Sequence, residues 1–296
     1  MGLQQSRGAT VGHAAPGIWD ADPSEGLRVR PGFVLADVDT DSTPGYSGDK
    51  KTAVGHLAAG AAELDRLQEM LFANSRLGDN RKILLVLQAM DTAGKGGILR
   101  HVVGSVDPQG VEIAAFKKPT SEELEHDFLW RVRPHAPSAG MIGVFDRSHY
   151  EDVLIARVRE LAPAEEIERR YDAINAFEQE LVDDDTTVIK VMLHIGTDEQ
   201  KARLQERLDR PEKHWKFNPG DIDERLLTPK YREAYQLVFD RTATDAAPWY
   251  VIPADKKWFA RIAVQQLLID ALRDMELSWP VADFDVEAEK ARLAAS

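Results

Sequence analysis

The stretch Lys82-Ile-Leu-Leu-Val-Leu-Gln-Ala-Met-Asp-Thr-Ala-Gly-Lys-Gly-Gly-Ile-Leu-Arg-His101 limits the fold more than any other part of this chain. An aliphatic run ends in a turn of small residues that holds a lysine, and an amphipathic segment follows at once. That order, strand then loop then helix, is the layout of a phosphate-binding loop. In such a loop successive backbone N–H groups form an anion-binding concavity, and the start of the helix faces the same point. Thr92, Ala93, Gly94, Gly96 and Gly97 are the candidate phosphate contacts, with Lys95 as a compact positive charge. The match to G-x-x-x-x-G-K-[ST] is imperfect: Ala89 replaces the first glycine, and Gly96 stands where the magnesium-binding hydroxyl belongs. Asp91, inside the loop, is the nearest candidate oxygen to replace it, since magnesium favours carboxylate and phosphate oxygens. A glycine-rich turn with no ligand gives the same short match, so the neighbouring segments must decide.

They alternate. Strands are expected at 82–88, 111–116, 141–146, 187–194 and 249–252. Helices are expected at 51–77, 95–106, 120–133, 163–183, 197–210, 224–240 and 256–275. Strands separated by helices of this length mean crossover units, hence an α/β fold whose parallel sheet is covered on both faces. Ligands in such sheets sit beyond the carboxyl ends of the strands. Residues 1–45, rich in Gly, Pro, Asp and Ser, read as an extended arm or tail, and 276–296 as a loosely attached charged end.

Composition narrows the function. A formal charge of −13 argues against general nucleic-acid binding but leaves room for a local basic channel. The absence of cysteine removes disulfides, thiolate metal sites and thiol nucleophiles together, which suits a cytoplasmic protein. No apolar stretch approaches the roughly 18 residues of a membrane span. Met1 to Ser6 fits the permissive myristoylation pattern, which reads as coincidence without a basic cluster nearby.

Three segments carry candidate chemistry. The strand at 141–146 ends in Asp146, followed by Arg147-Ser-His-Tyr-Glu151. An aliphatic strand ending in Asp is the usual second half of a phosphate-loop site, although the residue also suits a helix cap. Asp91 and Asp146 would flank one metal, with Arg147 reaching the transferred group. Lys117 and Lys118 lie at the sheet's functional edge. Glu123, Asp127 and Arg131 fall at i, i+4 and i+8, either an acceptor-facing helical face or a surface ion-pair row. Arg203, Arg207 and Arg210 share a face of the helix at 197–210, with Lys213 and Lys216 beyond Pro211. This row is either a solvated face or a set of mobile cations that close over a phosphoryl group.

Taken in order, these segments resemble the polyphosphate kinase 2 family over roughly residues 46–275. The resemblance is carried by Met90-Asp-Thr-Ala-Gly-Lys-Gly-Gly97, Asp107-Pro-Gln-Gly-Val111, Phe116-Lys-Lys-Pro-Thr120, His126-Asp-Phe-Leu-Trp-Arg131 and Phe145-Asp-Arg-Ser-His-Tyr-Glu-Asp-Val153. Glu199-Gln200, Trp215-Lys-Phe217 and Ala247-Pro-Trp-Tyr-Val-Ile-Pro-Ala-Asp-Lys-Lys-Trp258 extend it. It implies a P-loop kinase-like three-layer sandwich of about five parallel strands with a helical lid at about 200–222. It further implies magnesium-dependent phosphoryl transfer, with manganese as a substitute, between inorganic polyphosphate and AMP, ADP, ATP or guanine equivalents. Under that resemblance Asp91, Lys95, Asp146 and Arg147 are catalytic, with Asp91 and Asp146 serving the metal. The loop and Arg203, Arg207, Lys213 and Lys216 grip polyphosphate, while Lys117, Lys118, Glu123, Asp127, Arg131 and Glu151 meet the nucleotide. The Arg-Ser-His-Tyr-Glu-Asp-Val form is similar to the branch that accepts monophosphates as well as diphosphates. A homo-oligomer is expected, with no nucleic-acid or membrane partner. Two other classes stay open: a conventional ATP-dependent nucleotide or metabolite kinase, and a non-catalytic polyphosphate- or nucleotide-binding protein.

Overall fold

The computed structural model describes residues 19–296; the myristoylation-like pattern and the first part of the arm lie outside them. Five strands, β1 (Lys82–Ala89), β2 (Val111–Ala115), β3 (Ile142–Asp146), β4 (Thr186–His194) and β5 (Trp249–Pro253), form one parallel sheet in the order β2-β3-β1-β4-β5. The helices are α1 (Pro23–Leu27), α2 (Lys50–Ser75), α3 (Lys95–His101), α4 (Ile155–Val158), α5 (Ala164–Asp183), α6 (Thr197–Asp209), α7 (Gly220–Leu226), α8 (Thr228–Thr242), α9 (Lys257–Asp274) and α10 (Val286–Ala294).

Strand periodicity sorts the core into two layers. Ile83, Leu85 and Leu87 of β1 pack with α2, α3 and α9, whereas Leu84 and Val86 pack with α5 and α8. A strand buried on both faces reads as a continuous aliphatic run, which is why β1 shows no polar alternation. The chain leaves β1 toward β2 and β3 on one side and later returns to β4 and β5 on the other. β1 is therefore the switch point, where a crevice opens beyond the strand ends.

Two expected helices differ. The 120–133 stretch forms no α-helix, only short 3-10 turns at Glu123–Glu125 and Arg133–His135. The Thr120 amide donates to Glu123 (2.7 Å) and the Glu123 amide to Thr120 Oγ1 (3.2 Å), a capping box that starts a turn of helix which does not continue. His126 then turns extended, and Asp127 accepts from the Leu129 amide at 3.0 Å. Such side chains offer the backbone an alternative to the helix ladder. Glu123, Asp127 and Arg131 therefore share no helical face. The expected helix at 224–240 is two, broken at Leu227 before Pro229, whose ring and missing N–H suit a first turn.

The segment before α2 is packed onto the body. Val29 N donates to the Trp249 carbonyl at 2.8 Å and Arg28 bridges Tyr250, which covers the outer edge of β5. Trp19 is buried and its Nε1 donates to Gln266 of α9 at 3.1 Å. An unpaired strand edge is a template for unwanted association, so this cover protects the sheet. Helix α10 buries none of its residues.

One buried acid marks a stability cost. Asp270 of α9 accepts from Gln266 at 2.7 Å and lies 3.7 Å from Arg273, but its Oδ2 has no hydrogen-bond partner. Burial pushes its carboxyl up to about 7 from 3.8. A raised pKa favours the neutral form, so the contribution is full below the unfolded value and is lost as pH rises through 7. Asp270→Asn is accordingly expected to raise the melting temperature by ~5 °C at about pH 8 and by ~1 °C or less at about pH 4, read by calorimetry.

Candidate active site

The loop between β1 and α3 turns on two left-handed residues, Thr92 (φ 66°) and Gly94 (φ 124°). At φ 124° only glycine is comfortable, so Gly94 permits the turn. At Gly96 an added Cβ would meet open space, because the loop faces a cavity there. Among the described residues, the N–H groups of Gly94, Lys95 and Gly96 find no backbone carbonyl. Three orphan donors in a row at a cavity wall are what an anion needs.

The register of β1 and β3 sets Leu87 opposite Asp146, so Asp146 emerges beside the loop. Lys95 Nζ lies 3.6 Å from Asp146 Oδ1, and that buried oxygen has no hydrogen-bond partner. Burial pushes the Lys95 ammonium below the usual lysine range, Arg147 adds to that, and Asp146 and Glu151 oppose it. Arg147 occupies the left-handed region (φ 63°), and its amide donates to the Leu87 carbonyl at 3.0 Å. Its guanidinium spans Asp91 (3.6 Å) and Glu151 (3.7 Å). Burial raises the Glu151 carboxyl, and Arg147 and Lys95 pull it back.

Two cavities meet at Met90 and Asp91. The first, about 440 Å³, runs along the loop and α3 to Arg203, Arg207, Lys213, Lys216, Lys257 and Arg261. Its walls hold eight Lys or Arg against three carboxylates, a strongly positive trough on an acidic protein. The second, about 310 Å³, lies on the Arg147 side, between Leu154–Arg159, Asn218–Glu224 and Tyr231–Tyr235. Five carboxylates and two arginines line it, so its sign is reversed. The segment from α6 to α7 crosses both: Lys213 and Lys216 reach the first cavity, and Asn218, Asp221 and Glu224 the second.

The arginine row behaves differently from a set of free cations. Arg203 is buried, donating to the carbonyls of Thr92 (2.9 Å), Ala93 (3.0 Å), Ala254 (2.7 Å) and Asp255 (2.8 Å) and to Glu199 (2.6 Å). It ties the loop to the turn after β5. Arg207 donates to the Lys216 carbonyl (3.0 Å) and Asp221 (3.1 Å), fastening α6 to the crossing segment. Arg210 pairs with Glu206 and Glu212 and lines neither cavity.

Of the nucleotide-side candidates only Glu151 lines the second cavity. Arg131 is held by the Lys117 carbonyl (2.8 Å) and Asp152 (3.4 Å); Asp127 lies 3.5 Å from Arg169. Lys117, Lys118, Glu123, Asp127 and Arg131 line neither cavity. Sequence reasoning missed Arg159, Asp221, Tyr231 and Tyr235 on one side and Arg100, Lys257 and Arg261 on the other. Arg100 and Lys257 carried a legible signal, as cations just after the loop and just after β5.

Among the described residues no group of three or more His, Asp or Glu gathers as a metal cage. Asp91 and Asp146 with its free Oδ1 suit a cation that keeps waters and takes its remaining oxygens from phosphates, which is magnesium's habit.

Residues 48–280 match the sequence profile of Polyphosphate kinase 2. The chain belongs to the polyphosphate kinase 2 family. Within it, this chain is 45% identical over 255 residues to the AMP/ADP-polyphosphate phosphotransferase of Meiothermus ruber, a match covering 86% of this chain and 94% of that one. It is 40% identical over 229 residues to the ADP-polyphosphate phosphotransferase of Rhodopseudomonas palustris, covering 73% and 78%. The crystal structure of Polyphosphate Kinase 2 from Arthrobacter aurescens superposes with a TM-score of 0.92 at 58% identity, covering 94% and 98%. The polyphosphate kinase 2 fold is thus a P-loop kinase-like sandwich here too, with the loop at its switch point.

Proposed function

We propose that this chain is a polyphosphate:nucleotide phosphotransferase that converts AMP and ADP to ADP and ATP, reversibly, in the cytoplasm. The observation that carries the reading is the pair of cavities of opposite sign meeting at Asp91. A linear polyanion suits the basic trough, lying along the loop amides, Lys95, Lys213 and Lys216. A nucleoside, rich in hydroxyl and amino donors, suits the carboxylate-lined cavity, its terminal phosphate toward Arg147. On this reading the nucleotide sits beside Glu151, Tyr231 and Tyr235, which line that cavity, rather than beside residues 117–131, which line neither.

Phosphoryl transfer asks the protein chiefly for positioning and charge stabilisation. Lys95 and Arg147 flank the junction and face charge on the group in transit. Asp91 and Asp146 would hold magnesium, which when bound neutralises phosphate charge. The crossing segment at 200–222 acts as the lid and excludes water from both substrates. Self-association is proposed on family grounds, with no face assigned.

The test is direct. Purified protein, magnesium and polyphosphate are mixed with AMP or ADP as sole acceptor, and nucleotides are resolved by chromatography. ATP from ADP, and ADP then ATP from AMP, is the expected result. Unchanged nucleotides alongside consumption of ATP with another acceptor would replace this reading with a conventional kinase.

A further inference from the structure

Behind the acceptor-side groups the core holds charge that the transfer chemistry leaves unused. Lys190 of β4 and Glu178 of α5 are fully buried and pair at 2.6 Å. The Tyr150 hydroxyl sits between them, donating to Glu178 Oε1 at 2.7 Å and accepting from Lys190 Nζ at 3.0 Å. Lys190 also donates to the Thr242 carbonyl at 2.7 Å, and Glu178 Oε1 faces His149 Nε2 at 3.1 Å. An ion pair in so dry a place is a weak source of stability, because desolvation offsets its attraction. It does hold two consecutive side chains. His149 and Tyr150 both point at Glu178, while Arg147 and Glu151 on either side of them face the second cavity.

The intervening residue is fixed as well. Ser148 Oγ accepts from the Tyr150 amide at 3.2 Å. With its amide nitrogen turned toward Glu151, Gln88 donates to Glu151 Oε1 and accepts from Ser148 Oγ, each at 3.0 Å. The left-handed backbone of Arg147 persists only where the surroundings over-determine it.

We infer that Glu178, acting through His149 and Tyr150, is a positioning residue for the acceptor half of the reaction: it sets where Arg147 and Glu151 stand and leaves the polyphosphate trough alone. The inference rests on assigning the second cavity to the nucleotide. Its basis is separation, since neither Arg147 nor Glu151 lines the first cavity. Slackening the network loosens groups on the acceptor side and meets the trough only at Asp91, the residue both cavities share.

Tyr150→Phe deletes one hydroxyl and keeps the Glu178–Lys190 pair. The measurements are kcat/KM for ADP at saturating polyphosphate, KM for polyphosphate at saturating ADP, and a thermal melt. The expected result is a loss of about tenfold or more in kcat/KM for ADP, with polyphosphate KM within roughly twofold, as displacement of positioned groups predicts. The double variant E178L/K190M removes both charges together with the acceptor facing His149 and Tyr150 and is expected to show the same split, which serves if Tyr150→Phe does not fold. A lower melting temperature with both kinetic parameters unchanged, or with both shifted alike, overturns the inference and leaves the network purely structural. Absence of any transfer by the unsubstituted protein would instead overturn the functional reading, and the inference with it.

Discussion

Lys95→Ala is expected to lower kcat by about three orders of magnitude while the protein stays folded. Lys95 is the loop side chain that lines the first cavity, 3.6 Å from Asp146. A preorganised charge in a water-poor site is worth far more to a transition state than the same charge in solvent. The fold does not depend on it, because its ammonium lies only at ion-pair range from Asp146 and burial already works against its charge. Steady-state rates with polyphosphate and ADP, beside a circular-dichroism melt, decide the matter. Activity within about tenfold of the unsubstituted protein would take the loop lysine out of the mechanism.

Arg203→Ala is expected to damage both stability and turnover, which sets it apart from the loop lysine. Its guanidinium serves four backbone carbonyls from the loop and from the turn after β5, and removal strands all of them, those of Ala93 and Ala254 in a buried place. Stranded buried acceptors cost about 1–3 kcal/mol each, and water relieves some of them, so ~3 kcal/mol and a fall of ~6–10 °C in melting temperature are expected. The loop carbonyls would also be free to turn inward, and kcat should fall about a hundredfold. A melt and a rate on the same preparation check both. An Arg203→Ala protein that melts normally but binds polyphosphate poorly would return Arg203 to the role of a polyanion contact.

That contrast shows what the sequence disclosed. The loop, Asp146 and the parallel sheet were legible because each is local: an aliphatic run, small residues and an acid at a strand end are read within about ten residues. The spacing of Arg203 and Arg207 was legible too, but their partners were not. A carbonyl acceptor such as Ala254 has no side-chain signature, so a buried tie and a solvated cation look the same. The second cavity was hidden because its walls come from segments at 154–159, 218–224 and 231–235 that only tertiary packing unites. The 120–133 stretch misled for the opposite reason. Its helical spacing is real and Thr120 caps a first turn, but His126 turns extended and Asp127 binds the Leu129 amide in place of the helix ladder. The family resemblance supplied the chemistry, and the second cavity, proposed above as the acceptor's place, is what spacing did not reveal.

The segment from the end of α6 through α7 touches both cavities, with Lys213 and Lys216 over one and Asp221 and Glu224 over the other. One door therefore serves two rooms. In the lid role proposed above, a finished nucleotide would leave only by the movement that also slackens the hold on the polymer. Such an arrangement disfavours running along a chain while products depart, and favours a distributive cycle, in which each turnover ends with both occupants let go and any chain in solution able to take the next turn.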